Sequence, residues 1–292
     1  YFLGIAYKKG KRWDISNKYF DSAYEILRKS GHLNSIDEVR LLTARGTNGF
    51  RKEKNHLAIS YLKKACNILH EKYPENTIDL LDAYIMMSYT YNRMDNYEKS
   101  IEYCKKSFKI MDQNSSLKLR YLIREAQLAT ILGGAYEDMG KYEKSIKYHR
   151  KAVRLLEKHP SEYYNILGAY LNSIGVNYKH LDDYAKAKKY IRKSNYYFGK
   201  ISNRNTPSTA NSFNVRMAEI HIEAGENDSA LMVLQEGFEL NSVSFKRNDI
   251  NSYPKPSNVI NYYFAFKLAY LKGNAFINRF RVTGSVKDLR SA

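Results

Sequence analysis

Cys66 and His70 stand one helical turn apart in the run "ACNILH", the spacing with which a helix offers two ligands to one metal ion. A tetrahedral site needs a second pair at comparable spacing, and none follows. The remaining histidines, at 32, 56, 149, 159, 180 and 221, are dispersed and none is paired with a nucleophile. The second thiol, Cys104, falls on an inward helical position like Cys66, so both read as buried free thiols rather than a disulfide. Phosphate-cradling glycines are absent. We expect no metal, no cofactor and no catalysis within this chain, any catalytic domain lying outside it. A different set of residues is suited to recognition. Lys8, Lys9, Arg51, Asn92, Arg93, Asn172, Lys179 and His180 are donors that suit a carboxylate, provided that the chain brings them to one surface.

The elements that would do so repeat. Small residues recur at Gly4, Gly46, Ser88, Gly133, Gly175 and Ala218, with spacings of 42, 42, 45, 42 and 43. A fixed period in this range marks a solenoid. Behind each small residue runs an amphipathic ladder. Tyr142, Ser145, Ile146, His149, Ala152, Val153 and Leu156 lie on one helical face. Tyr184, Ala187, Lys188, Ile191, Ser194, Asn195 and Phe198 repeat it. Gly costs about 1 kcal/mol in a helix interior relative to Ala, so its recurrence needs a reason. The reason we assign is close approach: the first helix of each pair is crossed there by the second. Gly140, Asp95-Asn96 and Asp182-Asp183 mark the joint, Gly tolerating φ > 0 and Asp or Asn capping the next helix. Pro74 and Pro160 each open a new unit.

The runs "LGGAYEDMGKYEKSIKYHRKAV" and "SIGVNYKHLDDYAKAKKYIRKS" resemble tetratricopeptide repeats in a long form of about 42 residues rather than 34. The likeness rests on the small residue, the Tyr three places on (Tyr7, Tyr91, Tyr136, Tyr178), the turn, the Tyr after it and two small residues in the second helix. Copy two departs from it with Gly49 and Asn55, and copy six with His221 and Asn227. The resemblance implies an all-α, right-handed α-α superhelix of six to seven helix-turn-helix repeats. We divide it into an array over 1–242, an irregular connector over 243–258 and a further hairpin over 259–292, truncated at its end. The last segment, through "LAYLKGNAF" and "TGSVKDL", resembles the helical hairpin before the caspase-like domain of bacterial CHAT proteins. That likeness implies a protease domain beyond the chain, which itself reads as a fragment.

In such an array the first helices line a concave groove, the usual binding face. The eight donors named above then project into it, basic toward the N-terminal half. Copies four and six present Glu137 with Asp138 and Glu219 with Glu223. The clamp that holds chaperone C-termini in some relatives is not reproduced as a motif.

Charge is strongly lopsided: 48 Lys and Arg against 30 Asp and Glu give a net +18. This favours anionic partners. The cations are scattered beside glutamates on the outer faces of second helices, which reads as a solvated surface before it reads as a nucleic-acid track. No apolar run is long enough to span a bilayer and no signal peptide begins the chain, so we expect no membrane contact and a cytoplasmic location. Three functions stay open. One is a scaffold that binds a protein or peptide segment, acidic by charge, within a CHAT-protease protein. Another is the sensor region of a bacterial histidine kinase or transcription regulator. The third is a basic nucleic-acid binder. Oligomeric state is left open.

Overall fold

In a computed structural model the protein is described over residues 1–113, 118–201, 207–246 and 249–292, with the backbone alone at 118–121 and 207–210. It is all-α, and the described residues hold no strand, only an isolated bridge between Ser242 and Val259. Two compact units divide it, 1–141 and 142–292.

Unit one is built of α1 (Phe2–Lys9), α2 (Trp13–Lys29), α3 (Ile36–Arg51), α4 (Asn55–Lys72), α5 (Thr77–Arg93), α6 (Tyr97–Gln113) and α7 (Lys118–Asp138). Consecutive helices pair as α1 on α2, α3 on α4 and α5 on α6, and each pair rests on the next. The small residues sit at the crossings. A β-carbon on Gly4 would run into the Phe20 ring, and one on Gly46 would stand 2.8 Å from Leu62. Serine hydroxyls tie the same crossings: Ser16 donates to the Gly4 carbonyl at 2.8 Å and Ser100 to that of Ser88 at 2.9 Å. Gly49, a departure from the repeat, has its own reason, since its β-carbon would lie 3.2 Å from that of Ala58.

Unit two comprises α8 (Tyr142–Leu156), α9 (Pro160–His180), α10 (Tyr184–Gly199), α11 (Pro207–Glu223), α12 (Asn227–Leu240), α13 (Tyr262–Thr283) and the short α14 (Val286–Ser291). Helix α9 packs on α8 and α10, α11 on α10 and α12, and α13 on α11, α12 and α14. Gly175 faces Ile191 and Gly168 faces the Phe198 ring. Between α12 and α13 the chain is pinned at its neck by reciprocal bonds: Asn241 Nδ2 donates to the Asn261 carbonyl and the Asn261 amide donates to Asn241 Oδ1. Residues 247 and 248 of the expected connector lie outside the described residues.

The recurring tyrosines stack within repeats. Tyr7 lies on Tyr19, Tyr91 on Tyr103 and Tyr178 on Tyr190, with centroids 5.5, 5.6 and 5.5 Å apart. Where Gly49 removes the first ring, Tyr61 packs instead under the Arg45 guanidinium at 4.5 Å and accepts a hydrogen bond from it at 2.8 Å.

The joints correct the sequence expectation in one respect. Asp95 and Asp182, expected to cap, take the left-handed conformation themselves (φ 55° and 57°), and the following Asn96 and Asp183 do the capping. Lys11, Glu53, Gly140 and Gly225 occupy the same place, all with positive φ and each seven residues past the small residue. In all six, the next amide bonds back to the carbonyl five residues before it, at 2.8–3.0 Å, closing a Schellman-type end. One further expectation changes. Pro74 lies outside any helix, since α5 starts at Thr77 under the Asn76 cap. Gly134 has nothing within 4 Å of its would-be β-carbon, so crossing does not account for it.

Candidate functional site

The repeat places Lys8, Arg51 and Arg93 at the C-terminal ends of α1, α3 and α5, because each follows its small residue by four or five positions. In unit one these three converge on a cavity of about 640 Å³. Its other walls include Thr43, Thr47, Phe50, Asp82, Tyr89, Arg124 and Gln127. Arg93 lies 4.2 Å over the Phe50 ring and donates to the Phe50 carbonyl at 2.6 Å, so it is held by its neighbouring repeat. Arg51 sits 5.8 Å from the same ring, and Tyr89 tilts against Phe50 at 6.1 Å. Arg124 grips Asp82 through Nε and Nη2, both at 2.8 Å.

Four cations thus share the cavity with one carboxylate. Burial pushes the Lys8 amine below its usual value, and the Arg51 charge pushes it the same way while Asp82 opposes. Burial likewise raises the Asp82 carboxyl, against the pull of Arg124. Lys8 and Arg51 have no hydrogen-bond or ion-pair partner among the described residues. A groove with unpaired donors beside two aromatic rings suits an anionic group with some apolar body.

The remaining candidates lie elsewhere. Lys9 is exposed outside the cavity, and Asn92 is half-buried with its Oδ1 unpartnered. In unit two, Asn172 lines a separate cavity of about 460 Å³. Lys179 is taken by Glu223 at 2.8 Å, and His180 stacks on Tyr142 at 4.7 Å. Sequence reasoning missed Asp82, Arg124, Phe50 and Tyr89. Asp82 and Arg124 lie six and nine residues ahead of their small residues, turns of the first helices that the repeat pattern left unassigned.

Cys66 and Cys104 are buried free thiols, each pushed up to about 12 by burial. His70 turns from Cys66 to the Tyr84 hydroxyl at 2.9 Å. Among the described residues no cluster of three or more His, Cys, Asp or Glu could hold a metal ion, and no helix is long and apolar enough to cross a membrane.

Helical hairpins nested at small residues define an all-α helical-repeat solenoid. Residues 81–113 and 124–194 match models described as tetratricopeptide repeat, and the chain is a tetratricopeptide-repeat protein. No curated protein matches it in sequence. Among solved structures it is similar to the apo form of RapI, at 19% identity, covering 94% of this chain and 79% of that one, with a TM-score of 0.66. It is similar to a Signal Transduction ATPase with Numerous Domains (STAND) protein with a tetratricopeptide repeat sensor from Pyrococcus horikoshii, at 17% identity, 95% and 39% coverage and a TM-score of 0.65. A Rap protein complexed with Competence and Sporulation Factor matches at 18% identity, 87% and 62% coverage and a TM-score of 0.51.

Proposed function

We propose that the chain is a recognition scaffold that holds an acidic segment of a partner protein in the groove of unit one. The observation that carries this is the convergence of Lys8, Arg51 and Arg93 beside Phe50 and Tyr89, with Asp82 as the one acidic side chain lining the cavity among the described residues. The Rap structure complexed with a factor and the STAND protein with a repeat sensor lend support, since both use this architecture. The STAND likeness also favours a sensor reading, in which the bound segment belongs to the same protein and is released on a cue. An attached CHAT-type effector and a cytoplasmic location complete the proposal; the effector rests on the likeness of residues 259–292 alone. Catalysis by the chain itself has no part in it.

Fluorescence anisotropy with an Asp/Glu-rich peptide tests the idea. Arg51→Ala combined with Arg93→Ala should weaken binding by roughly tenfold to a hundredfold, and salt should weaken it further. Unchanged affinity in the double variant sinks the proposal. A labelled RNA that stays bound at ~150 mM salt while the peptide does not would favour the nucleic-acid alternative.

A further inference from the structure

The cavity of unit two is built differently from the groove of unit one. Arg216 from α11, Asn172 and Ser173 from α9 and Asn195 from α10 face it, and Phe198 and Phe213 wall it. At about 460 Å³ it lies within the roughly 300–1,000 Å³ range of small-molecule sites. Among the described residues, Arg216, Asn172 and Asn195 have no side-chain hydrogen bond or ion pair, and no acidic side chain lines the space. Arg216 is half-buried, so its guanidinium is partly stripped of water without a counter-ion.

The walls are fixed in advance. Ser194 donates to the Gly168 carbonyl at 2.7 Å, locking α10 onto α9. Gly168 lacks the β-carbon that would stand 2.8 Å from Phe198, so the ring rests flush against α9 and its other side faces the cavity. A small residue that elsewhere only lets helices cross here shapes a binding wall.

One guanidinium with two amides and a hydroxyl matches one negative charge. A carboxylate accepts the paired donors of arginine, whereas a phosphate dianion calls for a second cation. The two phenyl rings take an apolar body. We infer that this cavity binds a small organic monoanion, a carboxylate carried on an aromatic or branched apolar group. The site is independent of the acidic segment proposed for unit one, and its occupancy would make the array responsive to a small effector.

The full chain is titrated with 3-phenylpropionate, 3-phenylpropionamide and benzylphosphonate, followed by ligand-observed NMR and calorimetry. The acid should bind at least tenfold more tightly than the amide, and Arg216→Gln should remove most of that difference. Arg93→Ala, in unit one, should leave it unchanged, so that failure here is separable from failure of the acidic-peptide groove. Equal binding of acid and amide, wild-type affinity in Arg216→Gln, tighter binding of the phosphonate, or no binding of the acid at millimolar concentration would each overturn the assignment. If Arg216→Gln misfolds by circular dichroism, Asn172→Leu replaces it, with the same loss expected and the same retention counting against the site.

Discussion

Gly175 and Ile191 meet where α9 crosses α10: a β-carbon on Gly175 would stand 2.7 Å from Ile191 Cδ1 and 3.2 Å from the Ala187 carbonyl oxygen. Ile191 is itself enclosed by Ala187, Met217 and Ile220, so it has little room to yield. The same relation holds between Gly46 and Leu62 in unit one. It explains why a helix former was not selected at these positions.

Gly175→Ala should therefore destabilise the protein by about 1–2 kcal/mol, overpacking outweighing the gain of about 1 kcal/mol in helix propensity. Gly134→Ala, at a helical glycine with open space around it, should be neutral or stabilising by up to about 1 kcal/mol. Urea unfolding of the two variants measures both signs. Equal effects would show that crossing distance does not set the small-residue positions.

The left-handed joints give opposite changes. Glu53 holds φ 61° although it carries a β-carbon, and Glu53→Gly should stabilise by about 0.5–1 kcal/mol. Gly140→Ala, at φ 68° with nothing near it, should cost about 1 kcal/mol from backbone strain alone. Thermal melts of the pair read this out; a loss of stability in Glu53→Gly would show that its side chain does something beyond tolerating the turn.

Lys272 is fully buried on α13, donating to Gln235 Oε1 at 2.9 Å and to the Ser252 carbonyl at 2.6 Å, with the Tyr253 ring 4.0 Å away. Burial lowers its amine to about 8, with Asp249 pulling the other way. Above that pH the unfolded chain, at the ordinary value near 10.4, binds more protons than the folded one. Lys272 should then add stability as pH rises, by about 1–2 kcal/mol between pH 8 and 9.5. The raised Cys66 and Cys104 thiols work in the other direction within this window, and Tyr253 does so near pH 10 and beyond. Denaturant midpoints across this window should hold in the wild type, where Lys272 offsets the thiols, and fall in Lys272→Met. Parallel pH profiles in the two proteins would remove Lys272 as a contributor.

The period of small residues and the ladder behind each determined, from sequence alone, that paired helices stack and where they touch, because close approach of two helices admits few side chains. Sequence also put Lys8, Arg51 and Arg93 on the last turn of successive first helices, four or five positions past a repeated landmark. What it did not determine is which of the eight donors are available. Lys179 and His180 share that placement, yet Glu223 and Tyr142 occupy them from other helices. Arg124 and Asp82 entered the groove, and Arg216 joined Asn172, through neighbours some forty residues away in the chain. Periodicity describes each repeat against its own axis. The pairing or release of a charge depends on the side chain that the next repeat sets against it, and only the tertiary structure decides that.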